Sequence, residues 1–213
     1  MIELHYWPTT NGQKIALFLE EGALEWEARP VNISKGQQFD PAFLKISPNN
    51  KIPAILDRKP AGGGEPLGVF ESGAILLYLA EKTGRFLPAD PVGKSRATQW
   101  VFWQIGGLGP NSGQANVFTG DMAEKNPGAT ERVFNELQRL YKVMDGQLGR
   151  TAFLGGADYT IADMASYPTI LNHERHKISL DDHPNVKRWV EAIRARPAVQ
   201  RAYERAEAIR KAG

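Results

Sequence analysis

At 213 residues with 42% hydrophobic side chains, the chain is long enough for one large or two modest domains with a sizeable core. Its 26 basic and 24 acidic residues are interspersed and leave a net charge of +2, so no broad basic field draws in nucleic acid, and no stretch approaches the roughly 20 apolar residues of a membrane span. Cysteine is absent, which excludes disulfides, thiolate metal sites and a protein thiol as nucleophile; any sulfur chemistry must use a thiol that arrives as a ligand.

The chain opens on a strand predicted over 2–7, without the basic-then-apolar layout of a signal peptide, and a cytoplasmic location is expected. Pro8-Thr9-Thr10-Asn11-Gly12 turns this strand into a helix predicted over 13–23. A strand over 26–33 and a loop with a short helix over 35–47 come next. Strands over 54–58 and 67–71 are joined through Pro60-Ala61-Gly62-Gly63-Gly64-Glu65-Pro66, which reads as a hairpin with a long turn. A helix begins after Ser72, runs through Lys82 and ends at Thr83-Gly84. The order is therefore β-α-β-α-β-β-α. Leu87-Pro88-Ala89-Asp90-Pro91 is punctuated like a linker, and beyond it strand signals vanish. Over 131–148, Val133, Leu137, Leu140, Met144 and Leu148 recur at helical spacing, and 94–105 and 185–196 also read as helices. The expected organisation is an α+β domain at 1–84, a linker at 85–91 and an all-α domain at 92–213.

Several stretches carry chemistry. At the strand-to-helix corner, the Thr9 hydroxyl and Asn11 amide can donate to a sulfur lodged there, or serve as a turn and helix cap with Gly12 for flexibility. A thiol of pKa about 8.5 is only a few per cent thiolate near pH 7. Lowering it by about two units needs roughly 2.7 kcal/mol, which two or three donors at about 1.5–3 kcal/mol each can supply. Ser72 opens a helix, so free N–H groups and the positive end of the dipole can receive a carboxylate. Glu71 beside it offers a negative charge for an ammonium, so the pair can read a zwitterion or be only a strand end and a cap. Pro53 alone reads as a strand-initiating proline. Thr160 and Asp163 flank Ile161 as a capping box, which makes Asp163 structural. His173 and His176 lack a third ligand, and no metal site is predicted. The segment from Arg194 to Lys211 reads as a solvated helix because Glu204 and Glu207 interrupt its basic residues.

Three stretches in order along the chain, Asn50-Lys51-Ile52-Pro53-Ala54, Glu71-Ser72-Gly73-Ala74-Ile75 and Tyr159-Thr160-Ile161-Ala162-Asp163, resemble motifs of the cytosolic glutathione transferases. Pro8-Thr9-Thr10-Asn11-Gly12, Ser47-Pro48-Asn49-Asn50-Lys51-Ile52-Pro53-Ala54 and Gly106-Gly107-Leu108-Gly109-Pro110 resemble the family's bacterial Nu class of disulfide-bond reductases. The resemblance implies an α+β, thioredoxin-like N-terminal domain (βαβαββα) followed by an all-α C-terminal domain, a homodimer, and glutathione as co-substrate, reduced or oxidised, with no metal. It implies that Pro53 is cis and that the Ile52 backbone pairs strand-like with the cysteinyl residue of glutathione. By the same resemblance Glu71 and Ser72 hold the γ-glutamyl end, Gln38 the glycyl end, and Arg132 reaches across the dimer interface. Thr9 and Asn11 become the catalytic residues that stabilise the thiolate, Asn11 also binding glutathione, and Thr10 is a lesser contributor. Several animal classes use a tyrosine near this strand's end instead, which makes Tyr6 a rival, although its parity with Ile2 and Leu4 places it on the apolar face. Trp100, Trp103 and Gly106 to Pro110 line a second-substrate pocket at a broken helix, or form an aromatic core stripe and a kink. The expected activity is reduction of small disulfides by thiol–disulfide exchange. Its alternatives are a transferase or peroxidase acting on electrophiles or organic hydroperoxides, and a non-catalytic ligand-binding protein of the same fold.

Overall fold

Alternation sends Ile2, Leu4 and Tyr6 of the first strand, β1 (Ile2–Tyr6), into a core, as the computed structural model, which describes residues 1–212, makes plain. β1 pairs in parallel with β2 (Trp26–Pro30) and antiparallel with β3 (Ala54–Asp57), and β3 pairs antiparallel with β4 (Leu67–Phe70), in the order β2-β1-β3-β4. Helix α1 (Thr10–Glu21) connects the two parallel strands and packs beside α3 (Ser72–Thr83), burying Ile15, Leu19, Ile75 and Leu79. Asp57, fully buried on β3, accepts hydrogen bonds from Tyr78 (2.6 Å) and Lys82 of α3, which ties helix to sheet. The second strand stops at Pro30, earlier than the sequence suggests, and the Asn32 carboxamide oxygen then accepts from the Ser34 N–H at 3.0 Å. The expected short helix over 35–47 is divided, because Gly36 at φ 75° ends one turn and the next helix, α2 (Pro41–Leu44), restarts after Asp40.

The chain forms two compact units, Met1–Leu87 together with the stretch from Arg194 onward, and Pro88–Ile193. The first unit is thus discontinuous, unlike the predicted division at 84 and 92. The last helix, α10 (Pro197–Ala212), is not the solvated helix that its charges suggest. Its Ala198, Val199, Ala202 and Ala206 are buried, and it packs on α1. Its half-exposed arginines reach carboxylates of α1: Arg201 and Arg205 meet Glu20 at 3.0 and 3.1 Å, and Arg196 just before it grips Glu21 with two nitrogens at 2.5 and 2.8 Å.

The second unit is all helical outside its loops: α4 (Pro91–Trp103), α5 (Gly109–Val117), α6 (Gly120–Lys125), α7 (Pro127–Leu148), α8 (Ile161–Ile170) and α9 (Pro184–Arg194). The break expected near Gly106–Pro110 is a π-helical turn, Gln104–Leu108, joining α4 to α5. Pro110 brings no N–H to a regular ladder there, which suits a locally widened turn. Trp100 and Trp103 pack edge to face at 5.0 Å beside a groove lined by Arg96, Gln99 and Gln147. His176 lies between Ser112 (2.8 Å) and Tyr141 (2.9 Å) in a buried network, while His173 meets the Ile178 carbonyl at 3.0 Å.

The core of this unit is α8, buried along its whole length, and its start is held by the predicted capping box. The Asp163 carboxylate takes hydrogen bonds from the Thr160 and Leu154 N–H groups and from Trp189 Nε1, at 2.9, 2.9 and 2.8 Å. Burial pushes its pKa up to about 6 against the pull of these donors. Removing the carboxyl strands several buried donors, so Asp163→Ala is expected to cost about 3 kcal/mol and lower the melting temperature by roughly 10 °C in a calorimetric scan.

Candidate functional site

The corner after β1 is built by close packing. Thr9 is the N-cap of α1, and its hydroxyl oxygen accepts from the Gly12 N–H at 3.4 Å, which leaves its O–H free to donate outward. Gly12 serves close approach and not flexibility, because a Cβ there would lie 2.5 Å from the Trp7 carbonyl oxygen and 2.7 Å from the Tyr6 ring. Arg210 of α10 donates to the Pro8 carbonyl at 2.6 Å and pins the corner from behind. Tyr6 is fully buried, its hydroxyl meets no hydrogen-bond partner, and burial pushes its pKa up to about 12. It therefore cannot present a hydroxyl to a bound sulfur, and the tyrosine rival falls away.

Three segments converge on a pocket of about 170 Å³ beside this corner: the first turn of α1 through Asn11, the loop before β3 through Ser47, Lys51, Ile52 and Pro53, and the start of α3 through Glu71 and Ser72, with Phe70 between. The Ile52–Pro53 peptide bond is cis. The loop preceding it is shaped by a 2.7 Å hydrogen bond from the Ser47 hydroxyl to the Lys51 carbonyl and by Asn50 at φ 49°, a left-handed conformation that asparagine tolerates. Glu71 has φ 69°, a region that non-glycine residues rarely occupy and that clusters at functional sites. It stands at the N-cap position of α3, and Ser72 is the first helical residue, not the cap as its sequence position suggests. No side chain caps this helix, and Glu71 and Ser72 at its positive dipole end line the pocket.

Beneath Ser72 lies a residue that sequence reasoning missed. Lys14 of α1 is 1% exposed and its Nζ is 3.4 Å from the Ser72 hydroxyl oxygen. Burial drives its pKa down to about 7, with the Glu71 charge pulling the other way. A lysine in an amphipathic helix ordinarily reads as a solvated residue, and only tertiary packing around α1 buries it.

Of the predicted site residues, Asn11, Ile52, Pro53, Glu71 and Ser72 line the same pocket. Thr9 is adjacent at the cap and outside the lining. Gln38 sits in the 3-10 turn Gln37–Phe39, away from that lining, with a buried and unpartnered Oε1. Arg132 is on α7 in the second unit, in a groove with Asn111, Gln114, Glu136 and Arg139. Ser47, Lys51 and Phe70 are further lining residues; the first two fall inside the motif before β3, which was the signal available for them.

Residues 1–81 match the glutathione S-transferase N-terminal domain and residues 109–197 the glutathione S-transferase C-terminal domain. The chain is 51% identical over 207 residues, 97% of its length and 96% of its relative's, to the disulfide-bond oxidoreductase YfcG of Escherichia coli strain K12. It belongs to the glutathione S-transferase family. A second relative from the same organism, the disulfide-bond oxidoreductase YghU, is 37% identical over 94% of this chain and 73% of its own. Among solved structures, a glutathione transferase from Burkholderia graminis with two glutathione molecules bound per subunit aligns with TM-score 0.88 and 40% identity, covering 94% of this chain and 86% of that one. One from Pseudomonas putida with a glutathione disulfide bound per subunit also gives 0.88 and 40%, covering 94% and 90%. In this transferase frame the corner must hold its shape, and Gly12→Ala tests it. The added methyl forces Trp7 and Tyr6 apart, with an expected loss of about 1–3 kcal/mol by denaturant titration.

Proposed function

We propose that the chain is a glutathione-dependent reductase of small disulfides, with Thr9 and Asn11 as its catalytic residues. The reading is supported above all by the convergence of Asn11, cis Ile52–Pro53, Glu71 and Ser72 on one pocket beside the Thr9 cap, in a chain with no cysteine of its own. The names of its relatives, and the glutathione and glutathione disulfide held by its structural neighbours, point the same way. Glu71 pairs with the ammonium of the γ-glutamyl group, and the free N–H groups of α3 with Ser72 receive its carboxylate. The Ile52 backbone pairs with the cysteinyl residue and directs its sulfur toward the corner. There the Thr9 O–H and Asn11 N–H stabilise the thiolate.

The thiolate attacks one sulfur of the substrate disulfide. The S–S bond breaks, a mixed disulfide with glutathione forms, and the other substrate sulfur leaves as a thiolate that takes up a proton. A second glutathione thiolate then displaces the remaining substrate sulfur. The sum is two thiols oxidised to glutathione disulfide and one disulfide reduced to two thiols. The protein contributes orientation and charge stabilisation. Gln38 at the glycyl end, and Arg132 supplied across a homodimer, complete the proposed binding set.

Reduction of a small dialkyl disulfide, coupled to glutathione reductase, tests the reading. A rate well above uncatalysed exchange is expected, and the Thr9→Ala/Asn11→Ala double variant should lower it about 10- to 100-fold, as lost hydrogen bonds to a charge would. Absence of any rate above background would overturn the assignment. Tyr6→Phe should leave the rate within about twofold, because the Tyr6 hydroxyl is buried in the core and Tyr6 is outside the pocket lining. In the wild type, thiolate absorbance of bound glutathione should titrate below the ordinary value of about 8.5, and in the double variant it should move back toward it.

A further inference from the structure

We infer that Lys14 is a positioning residue of the γ-glutamyl subsite: from beneath the first turn of α3 its ammonium turns the Ser72 hydroxyl toward the bound carboxylate and places a positive charge behind it. This rests on the glutathione reading of Glu71 and Ser72. The geometry is that of a support and not of a surface lysine. Nζ is buried and 3.4 Å from the Ser72 oxygen, while Ser72 itself lines the pocket. An ammonium has donors only, so Ser72 accepts from it and its own proton must be given elsewhere. The pocket side is where an acceptor would arrive. Keeping an ammonium in an apolar interior costs stability, and such groups concentrate where their charge serves a ligand.

The Glu71 charge acts on Lys14, and several charged groups on the elements around α1 have partners of their own. On α10, Arg201 and Arg205 face Glu20, and Arg210 faces the Pro8 carbonyl. On β1, Glu3 pairs with Arg58 and Arg29 and lies 3.6 Å from His5. On α3, Lys82 is bound to Asp57. Glu71 favours the charged amine, and burial, the stronger effect, opposes it, so in the free protein Lys14 titrates near pH 7. A carboxylate arriving above Ser72 favours the ammonium and raises that value. Binding above pH 7 must then draw a proton into the site, and affinity must fall as pH rises.

S-methylglutathione is the probe, because it keeps the γ-glutamyl group and has no thiol to titrate. Its binding to the full chain is measured by calorimetry between pH 6.5 and 8, at pH 7.5 in two buffers of different ionisation enthalpy. The wild type is expected to take up roughly half a proton or more per site at pH 7.5. Lys14→Met should take up none, bind at least about tenfold more weakly at pH 6.5, and lose the pH dependence. Its melting temperature should be equal or higher, since a buried charge has been replaced by an apolar chain of similar length. A lysine that was merely structural would show the opposite pattern, with lower stability and unchanged binding, and that result overturns the inference. Wild-type binding without proton uptake overturns it as well, whether or not the variant folds. If the wild type does not bind the probe at all, the glutathione reading has failed and this inference fails with it.

Discussion

Helix α1 is enclosed by β1, α3 and α10, and every residue from Gly12 to Glu20 is buried. Burial on that scale favours partners for the polar groups it encloses, yet both side-chain polar atoms of Gln13 are left without a hydrogen-bond partner among the described residues. Glu20 accepts from Trp26 of β2 at 3.0 Å and from the arginines of α10, and Lys14 meets Ser72 of α3. The apolar residues between them fill the space under the sheet. The pocket depends on this helix twice, because its first turn brings Asn11 into the lining and its second places Lys14 beside Ser72.

The pocket is assembled from the ends of regular elements. Asn11 belongs to the first turn of α1, Pro53 directly precedes β3, and Glu71 and Ser72 begin α3. Farther along α3, Tyr78 and Lys82 bind Asp57, so the helix that presents its N-terminus is anchored to the sheet at its other end. Anchored elements hold donors in place before a ligand arrives, which is what electrostatic stabilisation of a developing thiolate requires. Glu71 adopts its unfavourable φ within this frame, and the packing of α3 offsets the cost.

Much of this was legible in the residues. The strands of the first unit announced themselves by alternation and flanking turns, and the motif stretches before β3 and at the start of α3 marked where the pocket would form. The capping box at Thr160 and Asp163 was readable because its two residues are three apart. What escaped reading depends on long-range packing. Lys14 and Ser72 are 58 residues apart, and nothing near Lys14 says that it will be covered. The apolar face of α10 is made of alanines and one valine, too small to stand out among arginines, and so its docking on α1 was not visible. Gly12 looked like a turn glycine, and the reason for its small size is a carbonyl and an aromatic ring brought near by the tertiary turn of the chain.

The contact between Arg210 and the Pro8 carbonyl joins residues 202 positions apart. During synthesis the thioredoxin-like segment leaves the ribosome early, with its apolar α1 face uncovered and its corner unpinned. The intervening helices must be made, and α10 must emerge and fold back, before that corner acquires its last support. Domains generally fold as units as they emerge, N-terminal first. A unit closed by a helix so far downstream cannot complete itself in that order, so its maturation waits for the synthesis of α10.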